Sequence, residues 1–167
     1  MGRTRWLTDD EQQTWRAWLL ATQLLMDQLD RELLRDAGMP HAYYAILAIL
    51  SEQRDGAMRM TRLAGLLCYS KSRLSHAVRR LEERGWLRRA GHPTDRRGAN
   101  AVLTEAGRAA LAAAAPIHVA GVRRHLFERL SPTQIEQLRA ICETIAEPLM
   151  ATAGARPVHE ASGPEDR

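Results

Sequence analysis

The chain has 167 residues, 45% of them apolar and 5% aromatic, with a net charge of +4, which is enough for one globular domain with a real core. Its charge is unevenly placed: residues 57–103 carry 11 Lys and Arg against 3 Asp and Glu, whereas the remainder carries 13 against 17. This is the footprint of a polyanion-binding module inside an acidic scaffold. The composition excludes a membrane-spanning protein, since the longest apolar run, from Ala109 to Val122, is interrupted by Pro116 and His118 and is shorter than the roughly 20 residues a span needs.

In chain order, residues 1–7 read as a flexible arm. Thr8-Asp9-Asp10-Glu11 then forms a capping box with acidic residues in the first turn. Trp15, Trp18, Thr22, Leu25, Leu29 and Leu33 recur at helical spacing almost to Gly38, a C-terminal cap. Leu19, Leu20, Leu24, Met26 and Leu34 make this long helix apolar on more than one side, as expected of a helix that packs on a partner subunit as well as on its own domain. Pro40 suits the first turn of a second helix with Ile46, Leu47, Ile49 and Leu50 inward and Arg54-Asp55-Gly56 as its exit. Residues 8–56 are thus expected to be dimerisation and support helices.

A short third helix carries Leu63, Leu66 and Leu67 and ends near Tyr69, after which Ser70 caps a fourth. In that fourth helix Leu74, Ala77, Val78 and Leu81 form an apolar stripe, leaving Ser72, Ser75, His76 and Arg79 on a stripe of their own. Short hydroxyl side chains let a helix backbone approach base edges while Arg and His reach deeper, so these four residues suit base readout in a major groove. Arg62, Lys71, Arg73 and Arg80 are placed for phosphates, which supply affinity without sequence information.

Beyond Gly85 the pattern becomes extended: Trp86 to Ala90, a breaker at Gly91-His92-Pro93, then Asn100 to Leu103. Two short strands around a basic loop, Thr94 to Gly98, make a wing whose arginines suit an adjacent minor groove. Residues 57–103 therefore read as a winged helix-turn-helix module. Arg88 and Arg89 alternate in direction along a strand, so only one is expected to face DNA. Thr104 caps a further long helix to about Arg129, with a kink or break at Pro116. Ser131-Pro132-Thr133-Gln134 opens a last helix carrying Ile135, Leu138, Ile141, Ile145 and Leu149. Residues 104–150 complete the dimerisation helices, and residues 151–167, rich in Gly, Pro, Ser and charge, read as a disordered tail.

The order of elements resembles the MarR family of winged helix-turn-helix transcriptional regulators over roughly Thr8 to Met150. The most specific part is Asp95-Arg96-Arg97-Gly98-Ala99-Asn100-Ala101-Val102-Leu103-Thr104, similar to the family's wing; Leu81-Glu82-Glu83-Arg84-Gly85-Trp86-Leu87 resembles its passage from recognition helix to wing. The resemblance implies a mainly α fold with a small β-wing and long flanking dimerisation helices. It implies a homodimer reading a pseudo-palindromic operator in double-stranded DNA, with half-sites about one helical turn apart. It also implies that Asp95, Arg96 and Arg97 form the minor-groove wing, with Arg97 entering the groove and Asp95 orienting it.

Family members commonly take small anionic or phenolic molecules between the dimer helices and the DNA module. Trp15, Arg16, Trp18, His41, Tyr43, Tyr44 and His118 are the aromatic and cationic residues able to line such an effector pocket, by stacking and by holding a carboxylate. The expected protein is a cytoplasmic repressor released by such an effector, neither enzyme nor membrane protein: no Gly-rich phosphate loop, nucleophile elbow, close carboxylate pair or metal-spaced His/Cys cluster is present, so no cofactor or metal is expected. Two alternatives stand beside it. One is a redox regulator acting through Cys68 or Cys142, although both thiols read as small buried hydrophobes. The other is a winged helix that binds proteins without specific DNA recognition.

Overall fold

The computed structural model describes residues 4–92 and 95–153, with the side chains of residues 92, 95–98, 152 and 153 outside the description. Six helices and a three-stranded antiparallel sheet alternate as α1 (Asp9–Ala37), α2 (His41–Ser51), β1 (Ala57–Arg59), α3 (Met60–Leu66), α4 (Lys71–Glu83), β2 (Leu87–His92), β3 (Asp95–Leu103), α5 (Glu105–His125) and α6 (Pro132–Ala153). A short 3-10 turn, Phe127–Arg129, separates the last two helices.

Local chemistry sets the helix boundaries. Thr8 N donates to Glu11 Oε2 at 2.7 Å while Glu11 N donates to Thr8 Oγ1 at 3.2 Å, the reciprocal capping box that starts α1. Gly38 ends it in the left-handed conformation, φ 60°. Ser70 accepts from Arg73 N at the start of α4, Thr104 from Gly107 N at the start of α5, and Ser131 from Gln134 N at the start of α6. Each cap satisfies a backbone donor that the first turn of a helix would otherwise leave without a partner.

The sheet order is β1-β3-β2, with Ala57 opposite Val102, Arg59 opposite Asn100, and Arg89 opposite Ala101. A two-stranded wing is therefore an incomplete description: β1, three residues between the exit turn of α2 and α3, is a third strand that anchors the wing beneath the helices. The connection at the tip is also shorter than expected, because β3 begins at Asp95. α3 stops at Leu66 rather than near Tyr69, and Cys68 makes the turn in the left-handed region at φ 51°.

The core gathers Leu33, Met39, Ile46, Leu47 and Leu50 of the support helices against Leu63, Leu74, Val78 and Leu81 of the helix-turn-helix, with Leu87, Ala101 and Leu103 of the wing and Ala114 of α5. Full burial of each Leu or Ile contributes about 1.5–3 kcal/mol, so α4 is fixed to the other helices along its whole inner face. Ile49, expected inward, is only half-buried.

α5 runs from Glu105 through Pro116 to His125, ending before the expected Arg129, and of the kink or break expected at Pro116 no break occurs. Its packing on α1 holds it: Ala114 is fully buried, and at Gly121 an added Cβ would stand 2.9 Å from both Glu32 Oε2 and Leu29 Cδ2. Glu32, only 6% exposed, closes this contact by accepting from Gln28 Nε2 and lying 2.8 Å from His125 Nε2 and 3.6 Å from Arg124 Nη1. The hydrogen bonds from Gln28 and His125 lower its pKa, so the charged form belongs to the folded protein.

α6 rests only weakly on the other elements, and its Ile141, Ile145 and Leu149 point into solvent, as do Trp15, Trp18, Leu20, Leu24 and Met26 of α1. Both thiols are exposed, which corrects the expectation of buried cysteines: Cys68 lies in the tight turn and Cys142 on an uncovered stretch of α6. Residues 1–3 of the expected arm and 154–167 of the expected tail lie outside the described residues; α6 runs to Ala153, into the segment expected to be disordered. Among the described residues no helix is long and apolar enough to cross a membrane.

Candidate nucleic-acid interface

α4 turns Leu74, Ala77, Val78 and Leu81 into the core and leaves Lys71, Ser72, Arg73, Ser75, His76, Arg79 and Arg80 exposed. The separation of the two stripes seen in the sequence is thus the separation in space. Arg62 is exposed on α3, preceding the turn.

Several of these cations are already held. The Arg73 guanidinium stacks 4.0 Å from the centre of the Tyr69 ring. Arg80 Nη1 donates to Glu83 Oε2 at 2.9 Å, and Arg79 Nε lies 3.9 Å from the other oxygen of the same carboxylate. Such exposed pairs contribute little, about 0–1 kcal/mol, so giving them up for a phosphate or a base costs little. Ser72 Oγ lies 3.1 Å from Ser70 Oγ.

Ser75 is different. Arg89 Nη2 donates to the Ser75 carbonyl at 2.9 Å and to its hydroxyl at 3.3 Å, while Arg89 N donates to Glu82 Oε1 at 2.8 Å and Nε lies 3.5 Å from Glu82 Oε2. One wing residue therefore grips α4 at two points about two turns apart, and Arg89 is the member of the Arg88/Arg89 pair that faces the helix. Arg59, Lys71 and Arg89 surround a cleft of about 340 Å³ between wing and helix, with Met60, Thr61, Leu74, Ser75 and Ala99. Arg59 and Glu82 were not among the sequence candidates; Arg59 sits on the unforeseen strand β1, while for Glu82 only the fold shows the partner.

The side chains of Asp95, Arg96 and Arg97 lie outside the described residues, although their backbone opens β3.

The residues expected to line an effector pocket fall into two groups. His41, Tyr44 and His118 meet between α2 and α5, with ring centroids 5.2 Å apart for His41–His118 and 4.3 Å for Tyr44–His118. His41 N donates to Asp30 Oδ1 at 2.7 Å, and His118 Nδ1 is buried with no hydrogen-bond partner among the described residues. Tyr43, next to this group in sequence, faces Arg84 instead. Trp15, Arg16 and Trp18 are far away, about 22 Å along the helix axis from Trp15 to Asp30. There Trp15 and Trp18 are 52% and 40% exposed, and Arg16 donates to Gln12 Oε1 at 3.0 Å. An open hollow of about 560 Å³ beside them is lined by Asp10, Gln13, Thr14, Ala17, Trp18 and Ala21. Within one chain the two groups do not form a single site.

Burial pushes His41 and His118 below the ordinary histidine value, with His41 adding repulsion at His118 and Asp30 partly opposing the shift at His41; burial raises Tyr44. A histidine with a lowered folded pKa binds its proton more readily in the unfolded chain. Stability from this pair is therefore complete above the ordinary value, near 6.5, and is lost as pH falls from there through the lowered folded values. The urea midpoint is expected to drop between pH 8 and pH 5.5, and to drop less in a His41→Asn/His118→Asn variant; parallel pH profiles would contradict this.

A helix-turn-helix with an exposed cationic reading face, a β-wing beside it and long apolar helices around it defines a winged-helix regulator of transcription. The MarR family model matches residues 40–98. Sco3205, a MarR family transcriptional regulator from Streptomyces coelicolor solved in complex with DNA, is 48% identical over 89% of this chain and 93% of that chain, with a TM-score of 0.84. AbsC, another from Streptomyces coelicolor, is 44% identical over 89% and 99%, with a TM-score of 0.82. CouR from Rhodococcus jostii RHA1, solved bound to p-coumaroyl-CoA, shares the fold at 23% identity, 79% and 90% coverage and a TM-score of 0.68. Comparison with curated proteins finds no match. The chain belongs to the MarR family of transcriptional regulators. It is a regulator and not an enzyme.

Proposed function

We propose that this protein is a homodimeric, sequence-specific DNA-binding repressor of the cytoplasm, released from a pseudo-palindromic operator by a small aromatic or phenolic effector. The observation that carries the reading is the outer face of α4, where Ser72, Ser75, His76 and Arg79 stand clear of the core among Lys71, Arg73 and Arg80. Sco3205, solved with DNA, supports it through its 48% identity. The first group is assigned to base readout and the second, with Arg62, to phosphates. Asp95, Arg96 and Arg97 are assigned to the minor groove.

The division of labour follows the packing. Residues 57–103 read DNA, and residues 8–56 and 104–150 form the dimer, whose apolar surface is the uncovered face of α1 and α6. Two modules at fixed separation multiply modest individual affinities through effective concentration. The effector is assigned to the half-buried group of His41, Tyr44 and His118, without Tyr43, whose ring faces Arg84. There the aromatic rings offer stacking, and His118 Nδ1 is a buried polar atom without a hydrogen-bond partner among the described residues. Trp15, Arg16 and Trp18 join the site only if the partner's first helix brings them there. Release requires the effector to bind better to a dimer whose modules no longer match the half-sites.

Selection from a random duplex pool tests the reading. One enriched pseudo-palindrome is expected, bound about a thousandfold or more above random sequence, and aromatic carboxylates are expected to release the protein from it. A pool with no enriched motif would sink the reading and favour a protein-interaction module.

A further inference from the structure

Arg84 caps the C-terminal end of α4, yet its side chain belongs to three other parts of the molecule. Its Nη1 donates at 3.2 Å to the carbonyl of Gly38, the residue that ends α1 in the left-handed conformation. Its guanidinium carbon lies 5.5 Å from the centre of the Tyr43 ring on α2 and 5.0 Å from that of Trp86, which leads into β2. A planar guanidinium can donate in its plane while its faces meet aromatic rings, which an ammonium cannot do. The positive charge also suits both helix C-termini that meet there.

This junction has leverage. α4 has 13 residues and is therefore about 20 Å long. A tilt of about 10° pivoting at its C-terminal end moves the other end by about 3.4 Å, the rise of one base pair. Ser72, Ser75 and His76 lie toward that far end. α1, to which Arg84 ties the pivot, carries much of the uncovered apolar surface assigned to the dimer. The angle at Arg84 thus connects the frame of the dimer to the position of each reading surface.

We propose that Arg84 is a positioning residue that fixes the angle of the recognition helix against α1, and thereby selects the half-site separation the dimer accepts. This rests on the DNA-binding dimer proposed above and assigns Arg84 no contact with a base.

The test uses the full chain with the duplex selected by the wild type, versions with the separation lengthened or shortened by one or two base pairs, and a duplex holding one half-site. The wild type is expected to prefer one separation by about tenfold or more. Arg84→Ala is expected to reduce that preference to about threefold or less while leaving single half-site binding within about twofold. Arg84→Lys, which keeps the charge but loses the planar faces, should fall between. An unchanged preference in Arg84→Ala, or an equal loss on every duplex including the half-site, would overturn the proposal and make Arg84 a bystander or a phosphate contact.

A second measurement does not depend on DNA. Spin labels at Arg80→Cys on both recognition helices, in a Cys68→Ala/Cys142→Ala background, should give one narrow separation with Arg84 present and a broad one with Arg84→Ala. Equal widths would overturn the proposal even if the wild type bound no specific sequence, a result that would separately sink the reading as a sequence-specific repressor.

Discussion

Replacing Ile141 and Ile145 with Glu together is expected to yield monomers that bind a full two-half-site operator about a hundredfold or more weakly. The two side chains are 53% and 50% exposed, one turn apart on the same face of α6, and Leu149 continues the row. The helix rests only weakly on its own chain, so these groups do little to hold the monomer together. Yet a row of large aliphatic side chains left in water forfeits about 25 cal/mol for every Å² that a partner would cover. Two carboxylates per subunit placed in a symmetric interface must either be desolvated without partners or keep the helices apart. The loss should fall on the two-site duplex and spare a single half-site, because the reading face of α4 is untouched. Light scattering reports the mass and titration of both duplexes reports the binding. A variant that remains dimeric, or that loses half-site affinity equally, would show that the interface lies elsewhere.

What could be read from the sequence and what could not divides along physical lines. The caps at Thr8, Ser70, Thr104 and Ser131 and the stop at Gly38 were legible because each is a contact between residues a few positions apart, decided by side-chain chemistry and backbone geometry alone. The face of α4 was legible for a related reason: once Leu74, Ala77, Val78 and Leu81 go inward, helical geometry leaves Ser72, Ser75, His76 and Arg79 outward. β1 was not, since three residues are too few to show an alternation and their pairing with β3 spans more than forty positions. Arg89 was half legible. Strand alternation requires that Arg88 and Arg89 differ in direction, but only the fold shows that Arg89 grips Ser75 and Glu82. The effector candidates were grouped by residue type, and type carries no distance. The structure gathers His41, Tyr44 and His118 and leaves Trp15, Arg16 and Trp18 at the far end of α1. The cysteines illustrate the same limit, because Cys142 looks like core by composition and lies on a helix that its own chain does not cover.

Gly107→Ala is expected to lower stability by about 3 kcal/mol, although it adds a single methyl group to a helix and alanine is the better helix former. Gly107 is buried in the first turn of α5, where an added Cβ would run into the backbone carbonyl of Trp86 and stand 2.8 Å from Leu103 Cδ1. The carbonyl cannot retreat, since it accepts from Thr104 N at 3.1 Å, and Thr104 Oγ1 in turn donates to the Gly85 carbonyl at 2.7 Å while accepting from Gly107 N at 3.0 Å. These bonds join the end of the recognition helix, the start of β2 and the start of α5 at one point. Gly107 thus allows α5 to approach the end of α4 and the start of β2 by backbone contact, and a methyl group must push them apart or break the bonds between them. Gly65→Ala is the control: a Cβ there meets nothing within 4 Å on α3, and the change should be neutral or stabilising by up to about 1 kcal/mol. Urea unfolding of the two variants measures the contrast. Equal stabilities would mean that the junction at Trp86 yields, and that the approach of α5 to the wing is not fixed by this glycine.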